Sequence, residues 1–328
     1  MQIIKEYANI VTNTIPITFN ERNVSRTIIG GEEVNRGQPL SAVVLNRGPK
    51  LNRGILFDRL ANLNFSSIIS IEESPSQSEH ANFYDRFPYV KFIIPLEKVS
   101  IGEMINIGIA ESNSDFAFVL WNDMNLFGSG PDAALIESVI QNDIICTTPM
   151  LLSEAGTPIL NQIVPSLYKT KFSTEPMPCV KDNTPTMYAY DFAGIYNRKK
   201  TIQLGGFDYT ILNPYWQNLD FGFRSYLWGE QIRINTRFKL KYEASPQPEN
   251  ISADISYRTF YLKNIAPIKN KESAYIKNRT FFPFLKNSGL HFMEALSFFR
   301  EAKKWVEVNK YRYKKDAIEL IKDWEPVL

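Results

Sequence analysis

Residues 116–125 read FAFVLWNDMN, six apolar residues followed by a mostly polar segment. A short apolar run without polar alternation predicts a strand that is buried on both faces, as in a parallel sheet. Asn122 and Asp123 then follow the carboxyl end of that strand, which is where open α/β sheets bind their ligands. This stretch therefore predicts a fold class and the position of a functional site together.

Three earlier segments also contain a short apolar run that predicts a buried strand: SAVVLNRG (41–48), FSSIISIEES (65–74) and VKFIIPL (90–96). Helical patterns lie among them, LNRGILFDRLANL (51–63) and IGEMINIGIAES (101–112). Strands that alternate with helices predict a parallel sheet covered on both faces, because a parallel pair requires a crossover connection. The carboxyl ends of such strands meet at one edge, which gathers residues that are distant in sequence: Asn46, Arg47, Glu72, Glu73, Asn122 and Asp123.

The rest of the chain continues with a helical pattern, PDAALIESVIQN (131–142), and three strand segments: DIICTTPMLL (143–152), TMYAYDFAGIYNRK (186–199) and EQIRINTRFKLKYEA (230–244). Residues 153–186 are rich in proline, threonine and serine, and predict a long loop or flap over the cleft. The last seventy or so residues predict helices, of which HFMEALSFFREAKKWVEVNKY (291–311) is amphipathic. We predict an N-terminal arm (1–40), an α/β domain (41–250) and a basic helical C-terminal extension (251–328).

The charge is unevenly distributed. The whole chain of 328 residues has a net charge of +2, which argues against a dedicated nucleic-acid-binding protein. Residues 255–328, however, contain 15 lysines and arginines against 8 acidic residues. This basic extension is either a solvated helical face or a surface for peripheral contact with an anionic membrane or an acidic partner.

Cysteine usage and hydropathy indicate the compartment. The two cysteines show no CxxC spacing and the chain has only two histidines, so neither a zinc site nor a disulfide framework is indicated. The opening residues MQIIKEYANIV lack the pattern of a signal peptide, and no apolar run approaches the length of a membrane span. We therefore expect a cytoplasmic protein, with a peripheral position at the inner face of the membrane as an option.

Asp123 is the strongest single candidate for chemistry. Its carboxylate, with Asn122 and Asn125 close by in sequence, offers oxygen ligands to a hard divalent cation that would hold a diphosphate. The alternative is an aspartate that caps the turn after the strand.

The order of these pieces resembles the nucleotide-sugar glycosyltransferases of the GT-A fold, particularly glycosyltransferase family 2 and the polypeptide N-acetylgalactosaminyltransferases. The resemblance covers residues 40–245 and rests on VVLNR, IISIEES, EMINIGIAES, FVLWNDMN, GGFD and QNLDFGFR. It implies a Rossmann-like, mostly parallel central sheet with helices on both faces, followed by the C-terminal helical extension. It also implies transfer of a sugar from a UDP- or GDP-sugar, with Mn²⁺ or Mg²⁺, to a hydroxyl of a cell-envelope glycan or glycolipid.

The resemblance also assigns residues to the donor site. Glu72 and Glu73 would lie beside the base and ribose, and Asp123 would be the metal-binding acid. Either Trp121 stands where the first acid of the metal motif is usual or Asn125 where the second is, so one carboxylate is missing and the cation is expected to bind only together with the nucleotide diphosphate. The full implied donor set is Asn46, Arg47, Glu72, Glu73, Asn106, Asn122, Gly205, Gly206 and Asp208, with Asp123 and Asn125 as metal ligands.

Gly205 and Gly206 lack a Cβ, so they either let the backbone approach the sugar closely or simply form a turn between a strand and a helix. Asp208 follows them in GGFD and would help to hold donor or acceptor hydroxyls.

The acceptor side departs from the family pattern at Gln217 and Asn218. In inverting members this helix begins with Glu-Asp, and the aspartate is the general base, whereas an amide cannot accept a proton at neutral pH. Three interpretations stay open. Asp220 is the base; or Asn218 matches the Glu-Asn pattern of retaining N-acetylgalactosaminyltransferases, in which the leaving diphosphate can accept the proton; or catalysis is lost and sugar-nucleotide or glycan binding is kept.

Two other enzyme classes with related sheets are disfavoured. A sugar nucleotidyltransferase needs a glycine-rich loop directly after the first strand, but VVLNRGPKLNRG has only two separated glycines. A Rossmann dehydrogenase needs GxGxxG at the same place, and that motif is absent from the sequence.

Overall fold

The computed structural model describes residues 22–32, 38–48, 53–72, 81–128, 130–168 and 171–324. Within these ranges the centre of the fold is a ten-stranded sheet, accompanied by two two-stranded sheets. The strands are β1 Arg26–Gly30, β2 Leu40–Leu45, β3 Ile68–Ile71, β4 Val90–Pro95, β5 Phe116–Trp121, β6 Met124–Phe127, β7 Cys146–Leu152, β8 Gln162–Tyr168, β9 Lys171–Met177, β10 Thr184–Pro185, β11 Gly194–Asn197, β12 Ile232–Tyr242, β13 Ile268–Asn270 and β14 Ser273–Tyr275.

The order of the central sheet is β1-β4-β3-β2-β5-β11-β7-β12-β10, with β6 paired to β12. Neighbours in the block β4-β3-β2-β5 are parallel, and β7 and β12 form another parallel pair. Every residue of β2, β3 and β5 is buried. Burial on both faces explains why these strands read as continuous apolar runs in the sequence.

The helices connect and flank the strands, and most begin within a few residues of a strand or turn. They are α1 Arg53–Ala61, α2 Ala81–Arg86, α3 Ile101–Glu111, α4 Ala133–Asn142, α5 Arg198–Leu204, α6 Pro214–Leu227, α7 Ile255–Phe260, α8 Phe281–Ser288, α9 Phe292–Asn309 and α10 Ala317–Lys322. Short 3₁₀ turns at Tyr190–Phe192 and Asn278–Thr280 and a π-helical turn at Tyr261–Ile265 complete the set for the described residues.

Helix α3 shows how local sequence positions the layers. Ser100 and Glu103 form a capping box at its start, in which each side chain accepts a hydrogen bond from the other residue's backbone N–H. Gly108 faces the sheet, where an added Cβ would lie 2.4 Å from a methyl carbon of Val43. The glycine therefore allows the helix to pack directly on β2.

The strand register brings three sequence-distant residues to one edge of the sheet. Leu45 at the end of β2 pairs with Ile71 of β3 and with Trp121 of β5. The next residue of each strand lies beyond that edge: Asn46, Glu72 and Asn122. The predicted convergence of these strand ends follows from the register.

Residues 153–186, which we expected to be a loop or flap, contain a β-hairpin. Strands β8 and β9 pair in antiparallel register from Gln162 opposite Met177 onward. Phe172 of β9 packs against Phe223 at 5.2 Å and Phe260 at 5.7 Å between ring centroids. Prolines and small polar residues made the segment resemble a loop, whereas these tertiary contacts support a strand pair.

The stretch at 116–125 is divided between two strands. β5 ends at Trp121, a turn at Asn122 and Asp123 follows, and β6 then pairs with β12, placing Asn125 opposite Lys241. The turn separates Asn125 from the carboxyl end of the parallel block.

The C-terminal extension contributes to the core of the α/β domain. Phe260, Tyr313 and Leu320 belong to the main hydrophobic cluster, and the Tyr313 hydroxyl donates to the Lys263 carbonyl at 2.9 Å. The amphipathic helix α9 buries one face, including Phe299, in a smaller cluster. Among the described residues, no helix combines the length and apolarity that a membrane crossing requires.

Candidate functional site

A buried polar cluster lies at the carboxyl ends of β2 and β3. Glu72 is 1% exposed, and its carboxylate accepts hydrogen bonds from Arg53 Nη1 at 2.5 Å and from Ser70 Oγ at 2.7 Å. Asn46 Nδ2 donates to the Ile71 carbonyl at 2.8 Å and to Ser70 Oγ at 3.0 Å. The predicted residues Asn46 and Glu72 are therefore neighbours, and the structure adds Arg53, which the sequence analysis did not select.

Two polar atoms of this cluster are buried without a hydrogen-bond partner among the described residues: Asn46 Oδ1, an acceptor, and Arg53 Nε, a donor. Leaving a buried donor or acceptor unpaired costs on the order of 1–3 kcal/mol. A ligand with a complementary donor and acceptor would remove that cost. Glu73, predicted beside Glu72, lies outside the described residues.

A second cluster is centred on Arg47, the residue after Asn46. Its guanidinium donates to both carboxylate oxygens of Asp123, from Nε at 2.8 Å and from Nη2 at 3.1 Å. It also donates to both oxygens of Asp191, from Nη1 at 2.9 Å and from Nη2 at 2.8 Å. Burial lowers the pKa of Arg47, but the two carboxylates more than reverse this and raise it above its usual value. Arg47 is therefore a permanent cation held between two acids.

Asp191 is a member of this site that sequence analysis missed. Asp191 and Phe192 have positive φ angles of 51° and 60°, a region that non-glycine residues rarely adopt. Trp121 Nε1 donates to the Asp191 carbonyl at 2.8 Å, and the Tyr196 hydroxyl donates to the Phe192 carbonyl at 2.9 Å. Strain that surrounding contacts maintain is typical of functional sites.

The sequence offered one signal for Asp191, the acid in the segment YDFAG just before β11. That segment was assigned to a strand, so its acid was not considered for the edge where the site lies.

The structure does not assemble the predicted metal ligands. The Asp123 carboxylate is engaged by Arg47, and Asn125 Nδ2 donates to Glu243 Oε1 at 2.8 Å. Asn122 Oδ1 accepts from the Arg47 backbone N–H at 2.8 Å. In the part of the chain that the structure describes, no three His, Cys, Asp or Glu side chains form a group that could hold a metal ion. These residues do not fit a divalent cation bound by the protein.

The three candidate residues on helix α6, Gln217, Asn218 and Asp220, lie in the interior of the fold and are not exposed to a cleft. Gln217 is 0% exposed, its Oε1 accepts from the Gly102 N–H at 2.8 Å, and its Nε2 donates to the Asp208 carbonyl at 2.9 Å. Asn218 Nδ2 donates to the Ala189 carbonyl at 2.7 Å. These two amides join the helix to neighbouring backbone.

Asp220 is also 0% exposed. It accepts from Arg224 Nε at 2.8 Å and from Asn264 Nδ2 at 2.7 Å. A carboxylate held in this way cannot meet an acceptor hydroxyl unless the ion pair opens, so its geometry supports a structural role.

The side chain of Asn106 holds the segment GGFD through both backbone groups of Phe207. Asn106 of α3 donates to the Phe207 carbonyl at 2.8 Å and accepts from the Phe207 N–H at 2.9 Å. Gly205 and Gly206 have φ angles of 102° and 65°, values at which an L side chain would be strained. These glycines form a turn after α5 that connects two helices, whereas the turn interpretation had placed the pair between a strand and a helix.

Asp208 is 1% exposed and pairs with Lys263 at 2.5 Å. Burial would raise the pKa of Asp208, but the attraction of Lys263 holds it at about 2. This buried pair joins the α/β domain to the C-terminal extension, and no local pattern of residues predicts the contact.

Glu249 is a further acid that sequence analysis missed, in the proline-containing loop after β12. It is partly exposed, and its Oε2 accepts from the Tyr188 hydroxyl at 2.8 Å. Burial raises the pKa of Glu249 to about 7, the Tyr188 hydrogen bond opposes the shift, and the nearby charge of Asp191 adds to it. A carboxyl group with this pKa can accept or release a proton near neutral pH.

Comparison with known proteins supports the architecture. No protein-family model matches the chain, and no curated protein does. The crystal structure of GalNAc-T7 with UDP, GalNAc and Mn²⁺ superposes with a TM-score of 0.57 at 12% identity, covering 87% of this chain. The chain has the GT-A fold. The predicted α/β class with a C-terminal helical extension is thereby confirmed.

These structural matches cover only part of the compared chains, and their sequence identities are low. The chain spans 57% of the GalNAc-T7 chain. The 1–349 segment of S. aureus TarS with UDP superposes with a TM-score of 0.49 at 10% identity, covering 80% of this chain and 70% of that one. At 12% identity the likeness to GalNAc-T7 shows the fold alone.

Proposed function

We propose that the protein transfers a sugar from a nucleotide-diphosphate donor to a hydroxyl group. The observation that carries the proposal is the convergence of Asn46, Glu72 and Asp123 at the carboxyl edge of the parallel block in a GT-A fold. Ligands of open α/β sheets bind at that edge. The solved structure of GalNAc-T7 contains UDP, which supports the same ligand class for this chain.

The nucleoside end is assigned to the cluster around Glu72. Asn46 Oδ1 and Arg53 Nε supply an acceptor and a donor that are unpaired among the described residues. A nucleobase edge or a ribose hydroxyl carries complementary groups. Binding of such a ligand would therefore satisfy two buried atoms without breaking the Arg53–Glu72 pair.

Glu249 is assigned to the acceptor. In the proposed step, the acceptor oxygen forms a bond to the anomeric carbon while the bond from that carbon to the diphosphate breaks. The electron pair leaves with the nucleotide diphosphate, and the hydroxyl proton passes to the Glu249 carboxylate. Glu249 is proposed because its side chain is partly exposed and its charge interacts with that of Asp191. Asp220, by contrast, is fully buried.

The proposed donor is a UDP- or GDP-sugar, the proposed acceptor is a cell-envelope glycan or a lipid-linked glycan, and the proposed location is the cytoplasm. These three proposals rest on the family resemblance and on the charge distribution. The basic extension, in which residues 255–328 carry the excess of lysine and arginine, supplies a surface for peripheral membrane contact. Assistance by Mn²⁺ or Mg²⁺ would have to come from a cation that arrives on the nucleotide, since the described side chains do not form a site for it.

One alternative has specific support: a catalytically inactive protein that binds a nucleotide-sugar or a glycan. It is favoured by the amides at Gln217 and Asn218 and by the carboxylate that is missing from the metal motif, at either Trp121 or Asn125. Donor binding without turnover would select it over the transferase.

Calorimetric titration with UDP, GDP and their sugars tests the proposal, with turnover followed by donor hydrolysis. We expect Asn46→Ala to weaken nucleotide binding roughly 10- to 100-fold, because a lost hydrogen bond to a buried partner is worth about 1.4–2.7 kcal/mol. Asn62→Ala is the control, since the Asn62 side chain is exposed directly after α1 and donates to the Asp58 carbonyl one turn earlier. Failure of wild-type protein to bind any of these nucleotides, or equal binding by Asn46→Ala, would remove the proposed donor site.

A further inference from the structure

We propose that Arg47 is a resident cation that takes the place of a divalent metal between Asp123 and Asp191. The proposal concerns the charge at the proposed donor site and goes beyond the transferase function. It rests on the two bidentate pairs that one guanidinium makes with both acids, all four contacts between 2.8 and 3.1 Å.

Arg47 leaves no carboxylate oxygen of this pair unengaged. Each of the four oxygens of Asp123 and Asp191 accepts one of its N–H groups, and Oδ2 of Asp191 also accepts from the Tyr242 hydroxyl at 2.9 Å. A guanidinium has five N–H donors in a fixed fork, so this arrangement uses four of them. A metal ion that bound both acids would compete with Arg47 for oxygens that already accept its N–H groups.

The side chain of Trp121 stacks against the guanidinium of Arg47. The guanidinium carbon of Arg47 lies 4.3 Å from the centroid of the Trp121 ring, and Trp121 Nε1 donates to the Asp191 carbonyl. Such stacking of a guanidinium on an indole is attractive and is strongest for tryptophan. Trp121, one of the two positions at which the resemblance leaves a metal-binding acid missing, thus stacks on the cation that is proposed to replace the metal.

Electrostatics disfavours adding a second cation. Arg47 is a permanent positive charge because arginine does not lose its proton in proteins. Mn²⁺ at Asp123 would lie within a few ångströms of that charge and would compete with it for the same oxygens. Nucleotide binding by this protein is therefore expected to be independent of divalent metal.

Replacing Arg47 should create a metal site. A gain in Mn²⁺ affinity cannot result from loss of the folded structure. Mn²⁺ alone is the probe, with free Mn²⁺ measured by electron paramagnetic resonance in the presence of the full chain. Wild-type protein is expected to bind no Mn²⁺ at about 100 μM, and Arg47→Met to gain at least about ten-fold in affinity, since two freed carboxylates form the core of an oxygen-ligand site. Arg47→Met combined with Asp191→Asn should lose that gain.

Arg26→Met is the matched control, because Arg26 also donates from two nitrogens to a carboxylate, that of Glu111, while Lys91 stays beside it. It should gain no Mn²⁺ affinity. Folding of each variant is verified by its melting transition. A folded Arg47→Met protein without gained affinity would overturn the proposal.

The wild-type protein provides a second test that needs no Arg47 variant. UDP affinity should be the same in EDTA and in Mn²⁺, and an increase with Mn²⁺ that Asp123→Asn abolishes would also overturn the proposal. The Mn²⁺-alone measurements involve no nucleotide, so they can fail or succeed independently of the proposed transferase function.

Discussion

Replacing Asp220 with alanine is expected to destabilise the folded protein by about 3–5 kcal/mol, because removal of one partner leaves a buried charge unpaired. The charge is that of Arg224, which is 2% exposed and pairs with Asp220 at 2.7 Å. Arg224 would keep its bonds to the Leu204 and Gly206 carbonyls at 3.0 and 2.7 Å, but Asn264 Nδ2 would lose its bond to the carboxylate. Denaturant unfolding of the purified variant measures the loss.

The control for Asp220→Ala is Glu307→Ala on helix α9. Glu307 pairs with Lys310 one turn away, as Asp220 does with Arg224, but the Glu307 side chain is 64% exposed. Exposed pairs contribute little, so this variant should unfold like the wild type. An Asp220→Ala protein of nearly wild-type stability that binds donor but has no turnover would instead identify Asp220 as the catalytic base.

Replacing Glu249 with glutamine is expected to lower the turnover rate by roughly 10²- to 10⁴-fold, the usual contribution of a general base. Glutamine keeps an acceptor for the Tyr188 hydroxyl, so donor affinity should change little, and the folded variant should be at least as stable as the wild type because it avoids the cost of burying an ionised carboxylate. Wild-type activity should fall as the pH drops below the Glu249 pKa of about 7, because the base becomes protonated, and the variant should lack this limb. Tyr188, Tyr190, Tyr215 and Asp191 are the other titratable groups that interact with Glu249.

Glu137→Gln is the matched control, since Glu137 is an exposed acid of helix α4 that accepts a bond from Gln141. It should keep wild-type turnover and the same pH profile. If Glu249→Gln also keeps them, proton transfer to the leaving diphosphate becomes the better explanation. If the wild-type protein binds donor without turnover, the inactive binding protein is favoured.

The parallel strands were predictable because their burial on both faces is visible in their own residues. β2, β3 and β5 are buried along their whole length, so their apolar runs and polar ends directly indicate a strand edge with Asn46, Glu72 and Asn122. The resemblance to GT-A proteins rested on the order of these segments, and the fold comparison confirms it.

The partners of the site residues were not predictable, because they come from distant parts of the chain. Arg47 meets Asp191 across 144 positions, and Asp208 meets Lys263 across 55. Sequence spacing showed that α6 carried Gln217, Asn218 and Asp220, but the C-terminal residue Asn264 and the loop carbonyls that enclose them appear only in the folded chain. Burial of this whole helix is a tertiary effect that its own periodicity does not contain.

The central claim is that a nucleotide-sugar binds at the carboxyl edge of β2, β3 and β5. A crystal structure of the wild-type protein soaked with a UDP-sugar, with and without Mn²⁺, tests it most directly. We predict a nucleoside within hydrogen-bonding distance of Asn46 Oδ1 and Arg53 Nε, and Arg47 still bound to Asp123 in both crystals. A nucleotide bound elsewhere on the protein, or a crystal that takes up no nucleotide at millimolar concentration, would contradict the account.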